Sequence, residues 1–507
     1  MTHETEIKLA TTPKILAELK RDPRFAVASK EQALVSTYFD TTDRTLANAR
    51  VRLRVRAGGE GFEQTLKRAQ DGGVSAATRI EYSCRTACEG PEISSFPDSA
   101  RRILKRLTDE RQLVPIALTR IVRDTRIVRH GRATIEAAFD HGEIEAQGKS
   151  NEICELELEL KQGNLRDLLG LARGLPLGTN LFWSVSSKGA RAISLASGLQ
   201  ERPCKPDPIL LRPTMPVSSA FRRIGWNCLN HLLRNYRLMV DARDAEALHQ
   251  CRVALRRLRI AAAIFSPIVD ADETALLMAQ WKAVADALGH GRSLDVVIAR
   301  VVREEAVDPQ YVHPAKASLV RLREGAYGEI GALVGTASFQ RLLFDTALWI
   351  ERGAKRRTVR SARGRDKLPA FASNTIRRQR ARLKKPVRKM KLLGPKERHR
   401  LRIKVKRMRY TTEFFSSVLK TRGTAKRLRA FLMLQEALQD QLGDLNDLAP
   451  GRAQDIAGLG SLDSIEQAVV QALASEDHPI RPTVEKALVR NAGRTGRELL
   501  VAGKRLR

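Results

Sequence analysis

Two short segments of the chain alternate strictly between charged and aliphatic residues. Residues 51–56 are VRLRVR and residues 155–160 are ELELEL. Because successive side chains of a β-strand point to opposite faces, each segment would carry like charges on one face and aliphatic side chains on the other. A barrel with a dry lumen would place the aliphatic row inside. The pattern instead predicts strands whose charged face is solvated or lines a polar tunnel, with the aliphatic face packed outward under helices.

Alternation with period two continues through most of the first 200 residues. It is found at residues 62–68, 78–84, 132–140 and 153–161, with paired glycines at 58–59 and 72–73 as turn signals. Two stretches, residues 99–108 and 165–172, have helical spacing instead. We expect residues 1–200 to form one α+β domain that is mostly antiparallel sheet.

A proline-rich segment separates this domain from the rest of the chain. Five prolines lie between Glu201 and Pro216, and each removes a backbone donor and favours extended geometry in the residue before it. Beyond this segment the sequence has long helical patterns rich in Leu, Ala and Arg. We therefore predict a linker at residues 201–216 and an all-α region over residues 217–507.

The charge of the chain is unevenly divided between the two regions. The 507 residues include 90 Lys and Arg against 57 Asp and Glu, a formal net charge of +33. The first 200 residues hold 31 basic and 26 acidic residues, so the helical region carries most of the excess. An anionic partner would relieve the repulsion, and the classes to consider are nucleic acid, an anionic membrane and polyphosphate.

Membrane insertion and export are not indicated. No apolar run approaches the roughly 18 to 20 residues of a membrane span, and the N-terminal residues MTHETEIKLA lack the layout of a signal peptide. The six cysteines match no disulfide framework or zinc spacing. We expect a cytoplasmic protein with free thiols.

Three sets of charged residues have the i, i+2, i+4 spacing that places them on one face of a strand. They are Glu4, Glu6 and Lys8; Arg52, Arg54 and Arg56; and Glu155, Glu157 and Glu159. A solvated sheet face with cross-strand ion pairs would explain any one set. Together with Lys67 and Asp140 they suit a phosphate chain bridged by Mg²⁺, since carboxylate oxygens bind the metal and guanidinium groups bind phosphate oxygens.

The order of these residues resembles the CYTH family, the triphosphate tunnel metalloenzymes, over residues 1–195. The segment from Glu4 to Lys8 is similar to the family's ExExK signature. Later charged residues follow in the family's order: Arg52, Arg54, Lys67, Glu81, Arg123, Asp140, the strand at 155–159, and Lys188. The resemblance implies an eight-stranded antiparallel tunnel that binds a substrate triphosphate with Mg²⁺ or Mn²⁺. Family members include inorganic, thiamine and RNA triphosphatases and a class of adenylyl cyclases.

The resemblance also implies roles for individual residues. The phosphate-binding and catalytic set is Lys8, Arg52, Arg54, Lys67, Glu81, Arg123 and Lys188, and the metal-binding set is Glu4, Glu6, Asp140, Glu155 and Glu157. Arg120 is the alternative to Arg123, and Glu159 is an alternative metal ligand. Glu81 beside Arg79 equally fits a structural ion pair. The chemistry implied is in-line attack of water on a terminal phosphoryl group.

The helical region contains an internal repeat, in which the segment His249–Arg259 recurs as His399–Arg409. At 100° per residue, the His and three of the basic residues that follow it form one stripe about 80° wide. The stripes are His249, Arg252, Arg256 and Arg259, then His399, Arg402, Lys406 and Arg409, with Arg257 and Arg407 as a further shared basic position. A solvated face would explain one copy. Repetition at the same phase favours a bound anion, because like charges on adjacent turns repel each other.

This repeat resembles the CHAD family, the conserved-histidine α-helical domain, over residues 217–507. The pattern H-x-x-R-(V/I)-x-(L/V)-(R/K)-R-x-R is present twice, and each copy is followed by Leu-Gly and an acidic residue, which are Leu288-Gly289 with Asp295, and Leu442-Gly443 with Asp444 and Asp447. The resemblance implies two pseudo-symmetric four-helix bundles around a basic pore whose ligand is inorganic polyphosphate. All ten basic residues of the two copies named above are then candidate polyphosphate ligands.

The leading hypothesis is a metal-dependent hydrolase of inorganic tripolyphosphate or short phosphate chains, whose C-terminal domain binds long polyphosphate in the cytoplasm or at polyphosphate granules. A nucleic-acid-binding protein is the alternative from another class, since basic density binds any polyanion. Aromatic residues are only 5%, and no zinc finger or RNA-binding motif is present, so the sequence offers few side chains that could stack on nucleic-acid bases or recognise them. Within the enzyme class, thiamine triphosphatase and adenylyl cyclase activities stay open.

Overall fold

The computed structural model describes residues 2–58, 61–68, 78–109, 111–198, 201–307, 316–353, 367–388 and 394–419. Two compact units divide the chain. The first consists of Met1–Pro208, Gly225–Leu258 and Asp270–Gly353, and the second of Ile209–Ile224, Arg259–Val269 and the described residues after Ala354. The first unit therefore contains the sheet together with several helices. Residues 201–212, in the predicted linker, form neither helix nor strand.

The described strands of the first unit form one antiparallel sheet. They are β1 (Thr2–Thr11), β2 (Ser29–Asp40), β3 (Val51–Gly58), β4 (Gly61–Arg68), β5 (Thr78–Thr86), β6 (Val114–His130), β7 (Ala133–Ala146), β8 (Lys149–Gln162) and β9 (Leu181–Ser184). Their order is β5-β4-β3-β2-β6-β7-β8-β1-β9, and β5 also pairs with β1. This extra pairing closes the first eight strands into a barrel, as predicted. The ninth strand lies beside β1 at Lys8–Thr11, beyond the part of β1 that pairs with β5.

Helices cover the sheet and make up the described part of the C-terminal region. The sheet region has α1 (Pro13–Lys20), α2 (Thr45–Asn48), α3 (Asp98–Thr108), α4 (Leu165–Arg173) and α5 (Lys188–Ser197). The rest are α6 (Val217–Leu233), α7 (Tyr236–Asp241), α8 (Ala245–Phe265), α9 (Ala271–Val307), α10 (Lys316–Gly335), α11 (Ala337–Arg352), α12 (Leu368–Arg388), α13 (Pro395–Phe414) and α14 (Ser416–Leu419). The prediction of an all-helical C-terminal region is confirmed for the part of residues 217–419 that the structure describes. Its division into two four-helix bundles stays a prediction, because residues 420–507 lie outside the described residues.

The aliphatic faces of the strands pack outward. Val51, Leu53 and Val55 of β3 are at most 3% exposed and belong to one apolar cluster with Ala100 and Leu104 of α3. Removing this area from water stabilises α3 on the barrel by about 25 cal/mol per Å². The arginines between the aliphatic residues of β3 must then point to the barrel interior. The predicted inversion, with charges inside and aliphatic side chains outside, is confirmed.

Helix α5 fills one end of the barrel interior. Its Ala192 and Ala196 are fully buried against interior side chains that include Ile121, Ile144 and Ile153. The helix starts at the N-cap Ser187, whose hydroxyl accepts from the N–H of Ala190, so Lys188 is its first residue. The charged residues of the interior therefore lie next to the apolar end of the barrel that α5 fills.

No helix in the described residues is long and apolar enough to cross a membrane.

Candidate functional site

Three carboxylates meet inside the barrel. Asp140 of β7 lies opposite Glu155 of β8, and Glu157 is two residues further along β8 on the same face. Each of the three has an oxygen within 4.8 Å of the others, and their exposed fractions are 0%, 1% and 9%. Hard oxygen ligands in one buried group are the donors that Mg²⁺ and Mn²⁺ prefer, so the donor set fits a divalent cation. We call Asp140, Glu155 and Glu157 the acidic cluster.

Lysine side chains from two separate elements enter the acidic cluster. Lys188 Nζ lies 2.6 Å from Asp140 Oδ2 and 3.0 Å from Glu157 Oε1, and it also contacts Glu155. Lys8 of β1 contacts Glu157, as expected from their pairing as Cα partners. Both ammonium groups are buried. Buried carboxylates of like charge repel each other, and the two ammonium groups offset this repulsion.

Arg123 of β6 completes the cationic surroundings of the cluster. Its Nε and NH2 donate to the two oxygens of Asp140 at 2.7 and 2.6 Å, and NH2 also donates to Glu157 Oε2 at 2.6 Å. Such a two-pronged contact fixes both the position and the plane of the carboxylate. Arg120 lies on the opposite face of β6 and pairs with the partly exposed Glu145. The structure therefore places Arg123, and not Arg120, at the acidic cluster.

The attraction between Glu157 and the neighbouring cations shifts the pKa values of Glu157, Lys188 and Lys8. Burial alone would raise the pKa of Glu157, but the charges of Lys188, Lys8 and Arg123 hold it well below its ordinary value. Burial lowers the pKa of Lys188, and the surrounding carboxylates more than offset this, so its pKa is raised. The Lys8 pKa is raised for the same reason. Glu157, Lys188 and Lys8 are therefore charged at neutral pH.

The depressed pKa of Glu157 makes part of the folding free energy dependent on pH. A carboxyl with a lowered folded pKa contributes stability above its unfolded pKa of about 4.3 and loses it as the pH falls through the folded value. We expect Glu157→Gln to lower the free energy of unfolding by about 3 kcal/mol at pH 7. The loss should shrink steadily below about pH 4. Urea unfolding in EDTA at pH 7, 5 and 3 measures it, and a pH-independent difference would contradict this prediction.

Not every predicted metal ligand reaches the acidic cluster. Glu4 pairs with Lys67 of β4 at 3.0 Å, and Lys67 Nζ also lies 2.8 Å from Glu81 Oε2. Burial would raise the pKa of Glu81, but the Lys67 charge holds it below its usual value. The partner that the structure gives Glu81 is thus Lys67, while the side chain of Arg79 lies outside the described side chains. Glu4, Lys67 and Glu81 form a second charged group, apart from the acidic cluster.

Glu6 and Glu159 also lie outside the acidic cluster. Glu6 is buried, and its Oε1 lies 3.3 Å from Lys8 Nζ, so it reaches the cluster through that lysine. Glu159 is more exposed and pairs with Lys161 at 2.9 Å. Of the three alternating glutamates, the structure therefore brings Glu155 and Glu157 together and leaves Glu159 apart.

A row of arginines faces the carboxylates from β3. Arg56 Nε donates to Ser36 Oγ at 3.1 Å, and burial lowers the Arg56 pKa to about 10, with the charges of Arg54 and Arg123 adding to the shift. Within the described residues, Arg54 Nε is buried and has no hydrogen-bond partner. The cations that lower the Arg56 pKa also create a positive potential that an anion would relieve.

Arg52 lies where β3 approaches the start of α5. A Cβ atom at Gly189 would stand 3.0 Å from Arg52 Cδ and 2.8 Å from Tyr38 Cε1, so only glycine fits there without displacing them. This glycine lets the helix that carries Lys188 come close to the arginine row. The row and the acidic cluster therefore share one interior.

Arg191 is a residue of the site that was not predicted from the sequence. This residue follows Lys188 by three positions on α5, and its NH2 donates to Glu155. Residues three apart lie on the same face of a helix, so a helix start at Ser187 would have placed both side chains together. That spacing in SSKGAR was the signal that could have identified it.

The first copy of the basic repeat lies on α8. Arg252 donates to the carbonyl oxygen of Ala285 at 2.8 Å, and a Cβ at Gly289 would stand 2.9 Å from its NH1. The Leu-Gly that follows the repeat thus allows this guanidinium to pack against α9. Burial lowers the pKa of His249, and the charge of Arg292 on α9 adds to that shift. His249 is accordingly neutral at pH 7 and surrounded by arginines.

Arg257 is separated from the stripe. It is 0% exposed, whereas Arg252 and Arg256 are partly exposed. The pKa of the buried His231 is lowered to about 3, first by burial and then by the Arg257 charge, so these two side chains are near each other. Polyphosphate binding by Arg257 stays a prediction, and its full burial distinguishes it from the more exposed stripe arginines.

The second copy lies on α13 and is partly described. Arg402, Lys406, Arg407 and Arg409 are partly exposed, while the side chain of His399 lies outside the described side chains. Burial lowers the pKa of Arg407, and the nearby charge of Arg382 adds to the shift. Two helices of this unit therefore bring basic side chains close together.

The acidic residue after the first Leu-Gly has a structural partner. Asp295 accepts from Arg323 Nε at 2.8 Å and from the Tyr327 hydroxyl at 3.0 Å, and both partners lie on α10. Asp295 therefore links α9 to α10. Asp444 and Asp447 lie outside the described residues.

Comparisons with known proteins identify both parts of the chain. The CYTH domain model matches residues 2–193, and the CHAD domain model matches residues 223–453. A Haemophilus influenzae protein named inorganic triphosphatase is 33% identical over 207 residues, which is 39% of this chain and 56% of that protein. The chain thus matches little more than half the length of this curated relative.

Two solved structures are also similar. The CHAD domain from the plant Ricinus communis is 23% identical, with a TM-score of 0.43, and the match covers 61% of this chain and 98% of that one. A Hippeastrum protein described by its dominant triphosphatase activity is 20% identical, with a TM-score of 0.27 and coverage of 39% and 97%. From the two family matches, the chain is a CYTH domain over residues 2–193 followed by a CHAD domain over residues 223–453.

Proposed function

We propose that the barrel hydrolyses inorganic tripolyphosphate, or other short phosphate chains, with Mg²⁺ or Mn²⁺. The observation that carries this proposal is the joint presence, in one barrel interior, of a buried acidic cluster and a row of arginines in which neighbouring cations lower the Arg56 pKa. A polar interior of this composition suits a ligand that contains both a metal cation and a chain of phosphates. The CYTH match and the relative named inorganic triphosphatase support the same substrate class.

The charge balance of the interior fits a metal and a triphosphate bound together. The basic side chains named above are Lys8, Arg52, Arg54, Arg56, Lys67, Arg123, Lys188 and Arg191, and the acidic ones are Glu4, Glu6, Glu81, Asp140, Glu155 and Glu157. The bases outnumber the acids, and a divalent cation would add to the surplus. Only a polyanion of high charge density would then bring the interior towards neutrality.

Basic and acidic residues of the interior have different roles in this proposal. Arg52, Arg54 and Lys67 bind the phosphate oxygens, since guanidinium and ammonium groups match them in charge and geometry. The acidic cluster would hold the cation, which when bound neutralises phosphate charge and lowers the pKa of a coordinated water. Until the cation binds, Lys8 and Lys188 hold the Glu157 carboxylate ionised and in place.

The reaction needs no covalent intermediate with the protein. The oxygen of a water molecule adds to the terminal phosphorus, and the bond from that phosphorus to its bridging oxygen breaks, releasing pyrophosphate and orthophosphate. The basic row stabilises the negative charge that spreads over the phosphoryl oxygens and the leaving group. These fixed charges are already oriented, so little reorganisation is required as the reaction proceeds.

We propose further that the helical region binds long inorganic polyphosphate through the two stripes. The stripe residues are His249, Arg252, Arg256, Arg259, His399, Arg402, Lys406 and Arg409. Support comes from the basic crowding at His249 and Arg407, where burial and neighbouring cations both lower the pKa. Residues 352–409 contain 25 Lys and Arg against two acidic residues, which adds long-range attraction for a polyanion. A location in the cytoplasm or at polyphosphate granules would follow from such binding and stays a prediction.

A substrate panel tests the enzymatic proposal. Phosphate release would be measured with tripolyphosphate, thiamine triphosphate, ATP and long polyphosphate, each with Mg²⁺, Mn²⁺ or EDTA. We expect the highest kcat/KM on tripolyphosphate with one of the two metals and loss of turnover in EDTA, because the acidic cluster supplies the metal ligands. Equal turnover in EDTA would contradict the metal requirement. Preferred conversion of ATP to a cyclic nucleotide, or of thiamine triphosphate, would replace the proposed substrate.

A further inference from the structure

The edge strand β9 connects the barrel site to the helices of the same unit. Ser184 of β9 is the Cα partner of Lys8 on β1. The chain then enters α5 through its N-cap Ser187, and this helix carries Lys188 and Arg191 into the acidic cluster. A displacement of β9 would therefore move the cationic side chains that surround the cluster.

Helical side chains satisfy the outer edge of β9. The backbone N–H of Trp183 donates to Oε1 of Gln340 on α11 at 3.3 Å. The backbone carbonyl of Trp183 accepts from the hydroxyl of Tyr236 on α7. Gln340 and Tyr236 are 1% and 0% exposed. Buried backbone groups at a strand edge need partners, and here α7 and α11 supply them in place of another strand.

Aromatic packing fixes the side chain of the same residue. The Trp183 ring stacks on that of Phe344 from α11, with centroids 4.4 Å apart and planes within 5° of each other. Trp226 of α6 meets Trp183 edge-on at 6.4 Å. All three rings are at most 2% exposed. Because a close-packed interior has little free volume, a shift of these helices is transmitted to β9 instead of being absorbed.

Polar contacts around this core hold the same helix. Arg173 at the end of α4 pairs with Asp345 of α11. Arg166 at the start of α4 donates to the carbonyl oxygen of Glu351 at 2.7 Å. Helix α11 is thus held to α4 by two polar contacts, and through Trp183 it also contacts a strand next to the site.

We propose that Trp183 is a positioning residue, through which α7 and α11 hold β9 and so place Lys188 and Arg191 at the acidic cluster. Its catalytic consequence rests on the proposed triphosphatase function. Its structural consequence is that the order of helix α5 depends on contacts made by Trp183. This consequence does not rest on the proposed triphosphatase function. The helical region in this way contributes to the barrel site without touching it.

Tyr236→Phe in the full-length chain tests this proposal, because it removes one hydroxyl and keeps the ring. The matched control is Tyr327→Phe, which removes the hydroxyl of another buried tyrosine, one that donates to Asp295. Hydrogen–deuterium exchange of residues 185–197 is measured without substrate, and kcat and KM are measured on tripolyphosphate. For Tyr236→Phe we expect faster exchange and a kcat about fivefold lower, with a smaller change in KM. We expect none of these changes for Tyr327→Phe.

The two measurements give distinct outcomes. Unchanged exchange at residues 185–197 in both Tyr236→Phe and Gln340→Ala overturns the proposal, and so does faster exchange with unchanged kcat. Equal effects in Tyr327→Phe also overturn it, because the effect would then be general destabilisation. If the wild-type chain lacks triphosphatase activity, the proposed function fails, while the exchange measurement still decides whether Trp183 positions α5. Gln340→Ala replaces Tyr236→Phe if the latter does not fold.

Discussion

Tripolyphosphate turnover is expected to fall by at least about a hundredfold when Glu157 is replaced by Gln. This carboxylate meets Lys8, Lys188 and Arg123 and also belongs to the acidic cluster. The amide keeps the shape of the side chain, but it removes the negative charge that holds three cations together and that would bind the metal. We expect both a lower kcat and a higher metal concentration for half-maximal activity.

Glu159→Gln is the matched control for this prediction. It makes the same chemical change two residues away on the same strand, at a side chain that pairs with Lys161 and lies outside the acidic cluster. Phosphate release at saturating tripolyphosphate and varied Mg²⁺ or Mn²⁺ would be compared for both variants. Comparable losses in the two variants, or full activity in Glu157→Gln, would mean that the acidic cluster is not the metal site. Circular dichroism should show that both variants are folded.

Long polyphosphate binding is expected to weaken by about a hundredfold in the double variant Arg256→Glu, Arg409→Glu. Both residues belong to the basic stripes and are partly exposed. Each reversal removes an attractive charge and adds a repulsive one, so the effect on affinity exceeds that of neutralisation. The slope of log Kd against log salt should also become shallower, by about one for each phosphate that the variant no longer neutralises.

The control for this second prediction is Lys282→Glu. Lys282 is exposed on α9 and pairs with Asp286, away from the stripes in sequence. The charge change per site is the same, so a general electrostatic effect would weaken binding as much per reversal as the stripe variants do. Tripolyphosphate hydrolysis should stay near the wild-type value in the stripe variant. If RNA competes for the wild-type protein better than polyphosphate of equal charge, the nucleic-acid alternative is favoured.

The side-chain pattern of the barrel could be predicted because it is local. In VRLRVR and ELELEL, strand alternation alone separates the charged from the aliphatic rows, and the burial of Val51, Leu53 and Val55 confirms which row packs outward. The helical repeat is equally local, since the phase of its basic residues follows from the pitch of one helix. Neither inference required knowledge of which elements are neighbours.

Which of the charged residues belong to the site could not be predicted from the sequence alone. Glu4, Glu6, Glu155 and Glu157 all have the strand spacing of metal ligands. Among the described residues, however, Glu155 and Glu157 form a three-carboxylate group with Asp140, and Glu4 and Glu6 do not belong to it. Arg120 and Arg123 are both on β6, and choosing between them requires the register that pairs Arg123 with Asp140. The burial of Arg257 likewise depends on how α8 packs against other helices.

Local patterns in the sequence were enough to predict the two classes of domain, the inward charged rows and the basic stripes, because each arises from periodicity within a single strand or helix. Only the packing of the folded chain shows that Asp140, Glu155 and Glu157 share one buried site and that Trp183 links this site to α11. Those contacts join residues far apart in the chain. They are set by strand register, barrel closure and helix packing, which minimise the free energy of the whole unit and leave no mark on the spacing of any one segment.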